Sequence, residues 1–516
     1  MANRYQAHRL LQCLSVAVRP LRVEELAEIL ALDFDGSNGA TPKLNQDWRW
    51  EDRQRAVLSA CSSLITLIDD GDSRVIQFSH FSVKEFLTSG RLSTSKGELS
   101  HFHIIPDSAH TTFAQACMGT LLQLDGNSDN NQVEDRMPLA RYASRYWVEH
   151  AQFGKVSSRI EDGMRSLFDS GKPHLSAWIQ LHNIDDGWEY SSTSREVASP
   201  LYYASLCGFH DLAEHIIVEH PEQVNARGGH NFAPLAAALH KRKFTVADLL
   251  HRHGAVVDIP SISRRTPLQI ASGPGVMDAD ARIDVVRWLL DHGADADAKS
   301  QMDDLSTPIL LAAVNGYLEV VRMLLEHGVD INAASKRGHT SLRQATCFGH
   351  VEIVRLLLQH GADTDARDQD HSTPLHVASS PTELEVARRT LVYNPELESR
   401  RKLEAARLLL EHDAEVDAKN KTGRTPLHLA SLDGYTEAVR LLLDHGANPD
   451  AKNTWGWTPL HMATSLGRTE TVRLLLDRGA SVDMKNKDGK TPLEVTAIQG
   501  SHEIVQMLTN HGLQLQ

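Results

Sequence analysis

Cysteine is scarce, aromatics are few and positive charge is not in excess, and each shortage removes a class of function. The five cysteines, Cys13, Cys61, Cys117, Cys207 and Cys347, lie far apart with no C-x-x-C pair. Zinc ribbons, dithiol redox centres and disulfide-stapled scaffolds are therefore unsupported, and a reducing compartment is expected. With 53 Lys and Arg against 67 Asp and Glu, the formal charge is −14. A binder of phosphate backbones normally carries a basic stripe, so direct nucleic-acid binding is not expected. The opening residues, Met1-Ala2-Asn3-Arg4-Tyr5, hold no apolar h-region. Nor does any run of about 18 apolar residues occur, which leaves no membrane span to expect. A cytoplasmic protein is expected, with nuclear entry left open by Lys241-Arg242-Lys243 and Arg400-Arg401-Lys402. Each of those clusters also reads as a solvated helix face or insertion.

Signatures of catalysis are missing as well. No G-x-x-x-x-G-K-[ST] occurs, and the nearest stretches, Gly36 to Lys43 and Gly171-Lys172, lack its spacing. There is no H-E-x-x-H, no G-x-S-x-G and no cysteine in a nucleophile signature. The 28 histidines fall mostly at two recurring places. One follows Thr-Pro-Leu (His376, His428, His461), and the other closes an apolar helix pattern (His253, His292, His327, His360, His412, His445, His511). Copies spaced so regularly do not make a clustered ligand set. No enzyme, cofactor, metal or small-molecule substrate is expected.

At 516 residues the chain exceeds what one core usually holds, so two or more domains, or an array, are expected. Helical spacing runs from Tyr5 to Val16, from Val23 to Leu30 and from Glu51 to about Ser63, with 34–48 reading as a loop. Leu64-Ile65-Thr66-Leu67-Ile68 and Arg74-Val75-Ile76-Gln77-Phe78, separated by Asp69-Asp70-Gly71-Asp72, read as a β-hairpin. Helices followed by a hairpin give a winged-helix outline over 1–105. Its wing tip is acidic, which argues against DNA.

Phe78-Ser79-His80-Phe81-Ser82-Val83-Lys84-Glu85-Phe86-Leu87, with Arg19-Pro20-Leu21 and Glu24-Glu25-Leu26, resembles the winged-helix segment that follows the NACHT nucleotide-binding domain in fungal STAND-type proteins. The resemblance implies that His80 could contact a nucleotide phosphate if such a domain were supplied in trans. The plainer reading is a hydrogen-bonded residue where strand gives way to helix. Residues 106–192 are helical by pattern, and Arg141-Tyr142-Ala143-Ser144-Arg145-Tyr146-Trp147 resembles the helical linker of the same proteins. Tyr142, Tyr146 and Trp147 are expected in a core.

Beyond residue 193 a repeat takes over. Thr425-Pro426-Leu427-His428, Thr458-Pro459-Leu460-His461 and Thr491-Pro492-Leu493-Glu494 recur 33 residues apart. Thr at the N-cap can accept an orphan amide, and Pro at the first helical position has no N–H to leave unpaired. Some ten residues on, Val439-Arg440-Leu441-Leu442-Leu443-Asp444-His445 reads as a second helix, stopped by Gly446. Nine such starts are readable, at Ser199, Ala233, Thr266, Thr307, Thr340, Thr373, Thr425, Thr458 and Thr491. Extra residues enlarge the third unit (Gly273 to Asp278) and the sixth (Ser379 to Leu403). Ala233 lacks the capping hydroxyl, Ser341 replaces the proline, and Asp413 replaces the closing glycine.

The period and the Thr-Pro-Leu-His-x-Ala signature identify residues 193–516 as similar to the ankyrin family. The fold class expected is therefore mainly α: winged helix, helical linker, then an ankyrin α-solenoid with short β-hairpin loops. Such arrays bind proteins along a concave face made by hairpin tips and first helices. The tips here include Arg264-Arg265, Asp303-Asp304, Arg337-Gly338-His339, Asp370-His371, Lys421-Thr422-Gly423-Arg424, Trp455-Gly456-Trp457 and Lys487-Asp488-Gly489-Lys490. Trp455 and Trp457 are the main partner-binding candidates, with Arg424, Arg337, His339, Arg264 and Arg265 beside them. The alternative for the tryptophans is that they stack on neighbouring tips and stiffen the row. The function expected is a non-catalytic scaffold, with a transcription co-regulator and a STAND protein lacking its nucleotide domain as rivals.

Overall fold

The computed structural model describes residues 2–34, 41–48, 52–61, 63–70, 73–94, 98–125, 133, 135–185, 197–261, 263–275, 277–300, 306–380, 395–499 and 502–514. It divides into two compact units, 1–256 and 257–516. The first begins with a winged helix: helices Ala2–Val16, Val23–Leu30 and Arg53–Cys61, then the antiparallel hairpin of β4 (Ile65–Asp70) and β5 (Ser73–Phe78). A third strand, β1 (Leu21–Arg22), joins β5 with Leu21 opposite Ile76. Two residues give too short a run for alternation to reveal it. The expected loop 34–48 is corrected in part, because β2 (Leu32–Asp33) pairs with β3 (Lys43–Leu44) and a 3-10 turn follows over Gln46–Trp48.

Buried carboxylates brace this module, and Glu28 ties it to the helices after it. Glu25, fully buried, receives Arg19 at 2.5 and 2.9 Å and the Arg22 amide at 2.8 Å. Glu28 accepts the Leu139 amide at 2.8 Å, across more than a hundred residues of chain. Such charges persist in a core only when ion pairs and amides replace water. Helices Pro106–Leu121, Ala140–Ala151, Glu161–Leu167 and His174–Leu181 form the linker. Tyr142 and Trp147 are buried in it and Tyr146 is half-buried. Trp147 stands edge-on to Trp178 at 5.2 Å and stacks on Phe209 of the first repeat at 5.3 Å. The Tyr142 hydroxyl joins His150 Nε2 (3.0 Å) to the Val18 amide (3.0 Å), and His150 Nδ1 faces His110 Nδ1 at 2.9 Å. Burial holds the His150 imidazole down to about 3, so that ring stays neutral, and burial lowers His110 in the same direction.

Every expected repeat start is followed by a helix, from Pro200–Cys207 in the first repeat to Pro492–Gln499 in the ninth. The Ser199, Thr266, Thr340, Thr458 and Thr491 hydroxyls accept amides three residues on, at 3.3–3.4 Å. Thr307 is an exception, for its buried hydroxyl has no partner. Second helices end as expected. His292, His327, His360, His412 and His445 each turn Nδ1 onto the carbonyl four residues back, at 2.7–2.9 Å. Asp413, standing where glycine closes other repeats, takes a left-handed φ of 62°.

Both enlarged repeats are internally stitched. In the third, Asp278 caps helix Ala279–Asp291, and buried Arg282 donates to the Ala271, Gly273 and Met277 carbonyls while lying 3.9 Å over the Tyr317 ring. In the sixth, residues 395–403 of the extra stretch form the front of helix Pro395–Glu411; 381–394 lie outside the described residues. Lys402 is fully buried there, its Nζ donating to the Ser380 carbonyl at 3.0 Å. Within the Arg400-Arg401-Lys402 cluster, Arg400 and Arg401 are exposed and only Lys402 departs from a solvated helix face.

Candidate interaction surface

Each tip from the fifth repeat onward is built on one short polar side chain. Asn453 Oδ1 accepts the Trp455 and Trp457 amides at 2.9 and 3.0 Å. Asn420 and Asn486 repeat the pattern, Asp368 serves the Asp370 and Ser372 amides, and Ser335 the Arg337 and His339 amides. These residues favour turns because the side chain can replace a strand partner for the amides. The turn needs a left-handed residue, supplied at the Trp tip by Gly456 with φ 74°. A Cβ there would also stand 3.0 Å from the Lys487 amide. One backbone bond then joins each tip to the next: Gln369 N–H to Arg337, Lys421 to Asp370, Thr454 to Thr422 and Lys487 to Trp455, all at 2.8–3.0 Å.

Behind the tips, the Thr-Pro-Leu-His histidines clamp neighbouring repeats. His428 Nδ1 accepts the Thr425 amide at 3.1 Å and its hydroxyl at 2.9 Å, while Nε2 donates to the Trp457 carbonyl at 3.0 Å. His376 reaches the Arg424 carbonyl and His461 the Lys490 carbonyl in the same manner, at 3.0 and 3.1 Å. An imidazole that accepts on one side and donates on the other must be neutral. Burial holds His376 and His428 down to about 4, and lowers His461 in the same direction. The third repeat performs the task without a titrating group: Gln269 Oε1 accepts the Thr266 amide at 2.9 Å and Nε2 reaches the Ala298 and Ser306 carbonyls at 2.7 and 3.3 Å.

The expected partner-binding residues separate on this frame. Trp455 is 48% exposed, with the Arg424 guanidinium 5.6 Å above its ring. Trp457 is half-buried, tilted against His461 at 5.9 Å, and its carbonyl is taken by His428. One tryptophan thus faces solvent while the other packs between repeats. Arg337 and Arg264 are exposed, and Arg265 is half-buried; Arg264 holds the left-handed tip position with φ 56°. His339 Nδ1 bonds the Gln344 amide nitrogen at 3.0 Å. Asp303-Asp304 lie outside the described residues. In the winged helix, His80 caps helix Phe81–Thr88, with Nδ1 accepting the Ser82 amide at 3.2 Å and facing its hydroxyl at 2.7 Å. Among the described residues no group of three His, Cys, Asp or Glu is placed to hold a metal ion, and no helix is long and apolar enough to cross a membrane.

Comparison with known families agrees with this frame. Two descriptions of ankyrin repeats match, one (3 copies) at 235–335, 276–368, 309–400 and 446–516, the other (many copies) at 409–463, together more than half of the chain. The chain belongs to the ankyrin-repeat family. Residues 1–102 match the winged helix domain described for GPI inositol-deacylase, so this is an ankyrin protein with an N-terminal winged helix. Azaphilone pigments biosynthesis cluster protein L of Monascus ruber is 28% identical over 271 residues, covering 48% of this chain and 55% of that protein. Ankyrin repeat protein nuc-2 of Neurospora crassa is 30% identical over 240 residues, covering 38% of this chain and 22% of that protein. The chain thus spans about half the length of the first relative and about a fifth of the second. Ankyrin repeats support a protein-interaction role.

One polar hub escaped the sequence reading. Buried Asp185, at the end of the linker, accepts the Tyr202 hydroxyl (2.5 Å), the His230 amide (2.6 Å) and the Asn231 side chain (3.3 Å). It ties the linker to the first two repeats. A single aspartate in a polar stretch carries no periodic signal that would have revealed it.

Proposed function

We propose that this chain is a non-catalytic protein-interaction scaffold whose ankyrin array receives a protein partner on the concave face formed by its hairpin tips and first helices. The observation that carries this reading is Trp455, a large aromatic held half in solvent on a tip that is hydrogen-bonded to both neighbours. Rigid aromatics with their backbone already ordered lose little entropy on binding. Covering the exposed half of one indole is worth about 3 kcal/mol of gross apolar burial. Nucleic acid, membrane and small-molecule substrates have no part in the reading, and the cytoplasm is its setting. A transcription co-regulator acting through a DNA-binding partner would use the same surface in the nucleus, and imaging the tagged chain distinguishes the two.

The test is quantitative affinity capture with wild type beside Trp455→Ala, with circular dichroism to verify the fold. A folded variant that loses the captured partners supports the reading; one that retains all of them removes Trp455 from the surface. A second reading, a signalling protein of the NACHT type, is favoured by Phe81 and Phe86 on the winged helix, 71% and 51% exposed, the Phe81 ring lying 4.4 Å from that of His80. Co-expression with a separate NACHT domain tests it, and Phe81→Ser/Phe86→Ser should then break the complex.

A further inference from the structure

The tips differ in charge. The last three hairpins, 419–424, 452–457 and 485–490, hold Lys419, Lys421, Arg424, Lys452, Lys485, Lys487 and Lys490 against a single acid, Asp488, in a chain of formal charge −14. All six lysines are exposed. Among the described residues none of these lysines has a carboxylate within 4.0 Å, whereas Arg367 on the preceding tip is tied to Glu415 at 3.3 Å. That tip also carries Asp368 and Asp370, so the positive strip stops there.

The strip is held in register. Lys419 Nζ donates to the Lys452 carbonyl at 3.4 Å and Lys452 Nζ to the Lys485 carbonyl at 3.1 Å, one repeat onward each time. The tip-to-tip bonds from Thr454 to Thr422 and from Lys487 to Trp455 set the lysine-bearing tips on either side of the indole. These seven cations repel one another, offset in part by Glu494, whose carboxyl is held down by Thr491 and by Lys485 and Lys490, and a ligand of opposite sign relieves the remaining repulsion while gaining long-range attraction. The exposed indole adds an apolar contact that a simple anion would not use.

We infer that the last three tips bind an extended acidic peptide segment, its carboxylates on Lys421, Lys487 and Lys490 and an apolar side chain against Trp455. This rests on the scaffold reading above. A protein segment is favoured over nucleic acid because the strip is short and the rest of the chain is strongly negative, which opposes a long polyanion running past the tips.

The experiment is selection of a displayed library of random peptides, about sixteen residues long, on the full chain, followed by fluorescence titration of the enriched peptides. Acidic sequences with an apolar residue should emerge, their affinity falling about tenfold in Lys421→Glu/Lys487→Glu and again in Trp455→Ala, and weakening steeply with salt. The solvent-exposed lysine changes leave the fold intact, checked by thermal unfolding. Neutral or basic peptides that need Trp455 but ignore the charge reversal would overturn the acidic class and leave the scaffold reading standing. Peptides indifferent to both changes, or no peptides at all, would overturn both. A single-stranded oligonucleotide of about twenty nucleotides that binds tighter than the best peptide would also overturn the inference.

Discussion

Acidification should weaken the ankyrin array through its histidine clamps, and His428 measures the effect. Its ordinary value of 6.5 falls to about 4 in the folded protein, because burial disfavours the charged ring by more than the bond to the Trp457 carbonyl favours it. The unfolded chain then binds more protons than the folded one across that window. The clamp's contribution is therefore complete above about pH 6.5 and is lost as pH falls towards 4. Over the whole window the loss is about 3 kcal/mol, and at pH 5 about 2 kcal/mol per such histidine. Urea unfolding of the full chain at pH 7.5 and pH 5, followed by circular dichroism, reads it. His428→Gln provides the control, since Gln269 makes the same two bonds in the third repeat without titrating. The variant should fold and should lose about 2 kcal/mol less than wild type between the two pH values. Equal losses in the two proteins would refute the neutral-clamp geometry.

Three further outcomes follow from single contacts. Gly456→Ala, placed at φ 74° and 3.0 Å from the Lys487 amide, should cost about 1–2 kcal/mol, read by urea unfolding. Arg282→Leu strands the carbonyls of Ala271, Gly273 and Met277, and should destabilise by on the order of 3 kcal/mol in the same assay. Tyr142→Phe leaves His150 Nε2 and the Val18 amide without their shared hydroxyl; a loss of about 1–2 kcal/mol is expected by thermal unfolding.

Local chemistry made the array legible. Thr-Pro begins a helix for reasons contained in four residues, and the histidine before the closing glycine meets a carboxyl-terminal carbonyl of its own helix, so the helix starts could be read directly. What escaped depended on distant partners. Strand β1 is only two residues long and exists because β5 lies beside it. Lys402 read as part of a basic surface cluster, yet the fold buries it on the Ser380 carbonyl. The tryptophans of one tip read as a pair, but the turn sends Trp455 outward and Trp457 towards His461, a division set by the three-dimensional path of the hairpin.

Site-specific photocross-linking in cells addresses the interaction surface most directly. A photoreactive phenylalanine analogue replaces Trp455 in one version of the chain and Arg440, exposed on a second helix, in another. Adducts to another protein should form at 455 and be absent at 440. Adducts confined to 440, or none at 455 in a folded chain, would contradict a scaffold that grips its partner with its tips.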